Sequence, residues 1–134
     1  MGASQRVQTM YDMPMWESME RKRLELPKCD DCGTFRYPPS PICADCLSMN
    51  YKWTPVSGRG SILSWVVFHR KYFDDHPPPY NSVAVQLDEG PIVTSQLVGE
   101  PPQGNWIGTA VELCYEPHEG KLQHAVRVAK QDAR

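Results

Sequence analysis

No stretch of this sequence approaches the ~18 consecutive apolar residues that a membrane-spanning helix needs, and its first residues lack the apolar core of a signal peptide. The expectation is a cytoplasmic protein without a membrane partner. Positive charge is also scarce: 14 Lys and Arg face 16 Asp and Glu, for a formal net charge of -2 and a pI near 6.1. A nucleic-acid partner is disfavoured, because phosphates are held by a clear cationic excess. The short motifs of independent catalysis are missing too: no Gly-rich phosphate loop, H-E-x-x-H or G-x-S-x-G, and no Ser and His paired at such an elbow. The chain is not expected to be an enzyme by itself.

What is present points to a small, turn-rich globular fold. Hydrophobic residues make up 40% of the chain and charged ones 22%, a balance that excludes disorder. Thirteen prolines and nine glycines in 134 residues favour many turns over long helices, so the fold class is mostly β.

Four of the five cysteines stand as Cys29-Asp-Asp-Cys32 and Cys43-Ala-Asp-Cys46, with ten residues between the pairs. Each C-x-x-C turn can aim two thiolates at one ion, and two such turns complete the tetrahedral sulfur shell of a closed structural site. Zinc suits this donor set, and iron in the rubredoxin manner is the competitor. Disulfides are disfavoured in a reducing compartment. The short stretch around these cysteines, with Pro27, Pro38, Pro39 and Pro41, has too little apolar surface to fold unaided, so the ion stands in for a core. With every position taken by sulfur, the metal is structural. The fifth thiol, Cys114, lies in the alternating stretch Thr109 to Tyr115 and reads as a small hydrophobe in a strand.

Along the chain, residues 1–11 read as a flexible tail, 12–26 as a helix, 27–50 as the metal ribbon, 51–130 as a β-domain and 131–134 as a second tail. Asp12 is available as helix N-cap, and Met15, Trp16 and Met19 share one face. That face is open to two uses, packing on the protein's own core or docking on a partner. Asn50 to Ser57 reads as a linker. Beyond it the pattern has period two, with strands expected at Ser61–Arg70, Asn81–Leu87, Pro91–Val98, Thr109–Tyr115 and Leu122–Val128. Asp88-Glu89-Gly90 and His118-Glu119-Gly120 form tight hairpin connections. Five antiparallel strands in so short a span suit a small closed barrel, of which the OB-fold is one. Lys71 to Tyr80, with Pro77, Pro78 and Pro79, is a stiffened loop.

His69, His76, His118 and His124 are scattered over strand ends and turns, each more simply a solvated imidazole than an acid or base. His69, beside Arg70 and Lys71, is the one singled out.

The Met15-Trp16-Glu17 helix, the paired cysteine turns and the later strands together resemble the DUF35 family, a rubredoxin-like zinc ribbon followed by an OB-fold. The resemblance covers about residues 12–130. It rests on Leu26-Pro27-Lys28-Cys29, Cys32-Gly33, Tyr37-Pro38, Val56-Ser57-Gly58-Arg59-Gly60, Pro79-Tyr80 and Val85-Gln86-Leu87-Asp88-Glu89-Gly90. Ala44 and Leu47 depart from it, where the family often has proline and glycine. What the resemblance implies is an accessory subunit of a thiolase-superfamily partner: a thiolase, an aldolase acting on steroid side-chain CoA thioesters, or a synthase. In such a hetero-oligomer the ribbon and barrel help to enclose the acyl-CoA, and the ribbon and the N-terminal helix, with Met15, Trp16 and Met19 on its face, dock on the partner. Arg59, His69, Arg70 and Lys71 are the candidate contacts to the CoA ester, against the simpler reading of solvated surface charge. The alternative function is single-strand nucleic-acid binding, with Trp65, Phe68, Tyr72 and Phe73 as the stacking residues.

Overall fold

The computed structural model describes residues 9–74, 76–118 and 120–129. The expected tail at 131–134 and residues 1–8 of the other lie outside that range.

Helix α1 spans Met13–Glu20, with Pro14 in its first turn where a missing N–H costs nothing. Asp12 sits at the N-cap, but its carboxylate turns back to accept the Thr9 N–H at 2.6 Å instead of capping the helix. The helix is shorter than the sequence suggested, because Lys22 enters the left-handed region at φ 57° and ends it. The Lys22 and Arg23 N–H groups close back on the carbonyls of Met19 and Ser18. Leu24 and Leu26, which the sequence placed at the end of the helix, fall in the turn and in strand β1, Glu25–Cys29. The stretch expected as a linker is strand β2, Tyr51–Pro55, antiparallel to β1 from Glu25–Pro55 to Cys29–Tyr51. A strand of five residues ending in proline carries too weak an alternation to be read without its partner.

Five further strands follow: β3 Arg59–Phe68, β4 Tyr80–Leu87, β5 Ile92–Ser95, β6 Ala110–His118 and β7 Lys121–Val128. They form one curled antiparallel sheet in the order β5-β4-β3-β6-β7, the half-barrel of an OB-fold. Its two edges meet through a parallel bridge, Leu97 to Val126, with the Val98 N–H on the Val126 carbonyl at 2.8 Å and the Val126 N–H on the Gln96 carbonyl at 2.9 Å. At Gly60 an added Cβ would lie 2.4 Å from the Gln86 carbonyl oxygen, so only glycine lets β3 approach β4 there.

One hydrophobic core joins both halves. Met15, Met19, Leu24 and Leu26 pack with Ile62, Val83, Val85, Val93, Val111 and Val126. Burying each such side chain contributes ~1.5–3 kcal/mol. Polar ties reinforce the joint: the Leu24 N–H donates to the Tyr115 hydroxyl at 2.7 Å, and the Leu122 N–H to the Glu20 carboxylate at 2.8 Å. The helix face is thereby consumed inside the molecule. Met15 and Met19 are buried and Trp16 is half-buried against the core, so of the two uses open to this face the fold makes the first, packing on the protein's own core.

Candidate metal centre and aromatic cleft

The two cysteine turns are copies of each other. In the first, the Gly33 N–H bonds the Cys29 carbonyl at 3.0 Å and the Cys29 N–H bonds the Thr34 carbonyl at 2.9 Å; in the second, Leu47 and Cys43 do the same toward Cys43 and Ser48 at 3.0 and 2.9 Å. Each needs a left-handed residue after its second cysteine, Gly33 at φ 79° and Leu47 at φ 64°. The departure at Leu47 therefore keeps the turn. The copies also clasp each other: the Thr34 hydroxyl donates to Asp45 at 2.9 Å, and the Ser48 hydroxyl donates to Asp31.

This brings four sulfurs together, all within 4.8 Å of one another. Cys29 and Cys46 are 3.6 Å apart and Cys32 and Cys43 3.5 Å. Around a zinc ion with bonds of ~2.3 Å, tetrahedral sulfurs stand about 3.8 Å apart, so the set fits the ion with little adjustment. The electrostatics ask for a cation. The Cys32 N–H, followed by that of Asp31, outweighs burial and draws the Cys29 thiol down to about 6, and the Cys46 and Asp45 N–H groups lower Cys43. The Ser48 N–H pulls Cys46 in the same direction, but burial and the three neighbouring sulfurs override it and push it up to about 12. Four thiolates coexist only around a positive ion.

Arg36, which the sequence gave no reason to select, fastens the second turn. Its buried guanidinium donates to the carbonyls of Ser40 at 3.1 Å, Ser48 at 3.0 Å and Asn50 at 3.4 Å and lies 4.7 Å from the Tyr51 ring centroid.

A cleft of about 720 Å³ opens between the β6–β7 hairpin and the loop after β3, which contributes Tyr72, Phe73 and His76. Its walls come from both halves: Trp16 and Tyr37 from helix and ribbon, Phe68, Tyr72, Phe73 and Tyr80 from the barrel. Phe68 stacks on Tyr80 at 4.9 Å and meets Tyr72 edge-on at 6.1 Å. Three histidines converge here. His76 faces His118 at 5.7 Å between ring centroids, and His124 meets Tyr37 edge-on at 6.2 Å while its Nδ1 lies 3.0 Å from the Ser95 hydroxyl. Such a site, mostly aromatic with a few convergent hydrogen-bonding groups, is of the size that takes a small ligand. Nothing local in the sequence predicts it, since β3, the loop and the hairpin meet only in three dimensions.

The other expected contacts are divided. His69 is exposed and outside the cleft lining. Arg70 and Lys71 follow the end of β3, Arg70 lying 5.7 Å from the Tyr72 ring centroid and Lys71 pairing with Asp74 at 3.4 Å. Arg59 begins β3, paired with Asp88 at 3.6 Å. At ~3.3 Å per residue it stands on the order of 30 Å from Arg70, so the three cations form no single cluster. Of the four expected stacking residues, Phe68, Tyr72 and Phe73 do line the cleft, but Trp65 and a cationic groove are missing from it. Trp65 stacks on the buried Trp106 at 4.7 Å, and among the described residues lining the cleft there is neither Lys nor Arg. Cys114 is half-buried in β6, and burial raises its thiol.

Residues 16–51 match the family described as ChsH2, rubredoxin-like zinc ribbon domain, and residues 53–116 that described as ChsH2, C-terminal OB-fold domain. A DUF35 domain-containing scaffold protein of Pyrococcus furiosus is 34% identical over 95 residues, which is 70% of this chain and 69% of that protein. This chain belongs to the DUF35 family. The ion of its ribbon is structural zinc, held by the four-cysteine cluster. A second relative, named "Probable enoyl-CoA hydratase alpha subunit" in Thermomonospora curvata, is 34% identical over 109 residues. That match takes in 76% of the DUF35 chain but spans only 32% of the relative. Among solved structures, the fold is similar to a chain of the Ltp2-ChsH2(DUF35) aldolase, with a TM-score of 0.83 and 27% identity over 92% of this chain and 98% of that one. No described helix is long and apolar enough to cross a membrane.

Proposed function

We propose that this DUF35 chain is a cytoplasmic, non-catalytic accessory subunit of an acyl-CoA enzyme that makes or breaks a carbon–carbon bond. It sits beside a thiolase-like subunit that supplies the nucleophile and the acid and base groups, and it helps to enclose the acyl-CoA. The observation that carries this reading is the end-to-end likeness to a chain of an aldolase that pairs a DUF35 component with another subunit. The cleft fits the role. Its aromatic walls suit an apolar acyl group, the described residues of its lining include no Lys or Arg to draw in a phosphate, and Arg70 and Lys71, next to the lining residue Tyr72, offer countercharge to the CoA phosphates outside. Closing such a pocket excludes water from reactive thioester and carbanion intermediates.

The test is a tagged pull-down from the native host, with mass spectrometry of everything that elutes in stoichiometric amount. The expected result is a thiolase-like subunit. Elution without one, or with nucleic acid in its place, overturns the proposal.

A further inference from the structure

Two imidazoles face each other across the cleft from separate parts of the chain. His76 belongs to the loop between β3 and β4 and His118 ends β6, with 5.7 Å between their ring centroids and 55° between their planes. Packing sets that spacing. His76 meets the rings of Phe73 at 6.3 Å and Tyr80 at 5.5 Å, and its backbone N–H donates to the Phe73 carbonyl at 3.3 Å. His118 is half-buried at the base of the β6–β7 turn, where β6 pairs with β7. A divalent ion bonded to two imidazole nitrogens at ~2.0–2.1 Å stands about 3.2 Å from each ring centroid, and a tetrahedral angle at the ion then puts the centroids about 5.2 Å apart. The pair is within roughly half an ångström of that geometry.

The charge around the pair favours a cation. Glu116 lies two residues before His118, on the same face of β6, and lines the cleft; no Lys or Arg is among the described lining residues. Lys121, opposite His118 in the hairpin, is exposed and outside the lining, and Lys71 is paired with Asp74.

We propose that His76 and His118 clamp a second divalent transition-metal ion of the zinc class, separate from the ion of the ribbon. Imidazole nitrogen suits zinc, nickel and copper over magnesium or calcium. Among the described residues only the four cysteines gather three or more donors at one point, so the histidine site is an open one. Two ligands come from the protein, and the remaining positions are left to water or to an oxygen of a molecule in the cleft. Because one ligand is on the loop and the other on the hairpin, the ion ties the two walls together. The site stands independently of the accessory-subunit reading.

The experiment uses the full-length chain, free of any histidine tag and with its ribbon zinc in place, titrated with zinc in a calorimeter and with cobalt(II) in a spectrophotometer. The expected result is one further equivalent of zinc per chain, held more weakly than the ribbon ion. Its affinity should fall at least about tenfold in His76→Gln and in His118→Gln, while both variants keep the ribbon zinc and the parent's thermal midpoint. Cobalt(II) binds such sites less tightly than zinc and so leaves the ribbon occupied; it should give the weak visible bands of nitrogen and oxygen ligands without intense sulfur charge-transfer bands. No second equivalent at millimolar zinc overturns the site. A second equivalent that both variants take up as tightly as the parent is an adventitious ion only and overturns it too, as does cobalt uptake marked by sulfur bands alone.

Discussion

Arg36 shows how one side chain sets the stability of the metal turn. Its guanidinium satisfies three carbonyls from a segment with no regular structure of its own. Arg36→Leu leaves those acceptors buried without donors, at about 1–3 kcal/mol each for those that water cannot reach. We expect zinc to pass to a colorimetric chelator at least tenfold faster in that variant; an unchanged rate would mean the turn holds without the arginine. Cys29 gives the pH dependence. Its folded value, about 6, lies below that of an ordinary thiol near 9, so its stabilising effect is full above the ordinary value and is lost as pH falls through 6. Zinc and protons compete for the same thiolates, so zinc retention, followed by chelator competition between pH 8 and 5, should weaken as pH falls across that range; retention undiminished at pH 5 would overturn this. The four cysteines were legible because their spacing alone encodes a tetrahedral site. Arg36 and the three cleft histidines were not, since an isolated arginine or histidine acquires its role only from segments distant in sequence.

Among the elements, β3 carries the tightest constraint. Gly60→Ala would drive a methyl group onto the Gln86 carbonyl and push the first strand of the barrel off its neighbour. We expect a loss of several kcal/mol, comparable to overpacking a core, and a drop of well over 5 °C in the midpoint followed by circular dichroism. A variant melting with the parent would show that β3 can slide without penalty. The five barrel strands were readable because each is rich in β-branched and aromatic residues and bounded by turn residues, and Asp88-Glu89-Gly90 marks its hairpin plainly. The helix end and β2 were misread for one reason. Arg21 to Leu24 contains no proline or glycine to end the helix, and only the left-handed backbone at Lys22 and the pairing of Glu25–Cys29 with Tyr51–Pro55 break it. Both are tertiary outcomes with little local signature.

For the whole molecule, ribbon and barrel act together. The shared core, the Leu24–Tyr115 bond and the Leu122–Glu20 bond fix their relative position, so the ribbon cannot unfold without exposing Met15 and Met19. Stripping the zinc with a strong chelator should therefore cost more than the ribbon. Tryptophan emission should shift to the red as Trp16 and Trp53 become wet, and the midpoint should fall by more than 10 °C; an intact barrel transition would show that the halves are independent.

The two-sided construction of the cleft has a thermodynamic corollary. Trp16 and Tyr37 belong to the part of the chain that zinc organises, and Phe68, His118 and His124 to the part that folds as a barrel. Any molecule that wedges between these walls is held by an arrangement that the ion maintains, so the two occupants exert heterotropic cooperativity on one another. Reciprocity then requires that whatever factor the metal contributes to the ligand's affinity, the ligand returns to the metal's; for the acyl-CoA ester of the proposed function, its supply and that of zinc would each bias occupancy by the other.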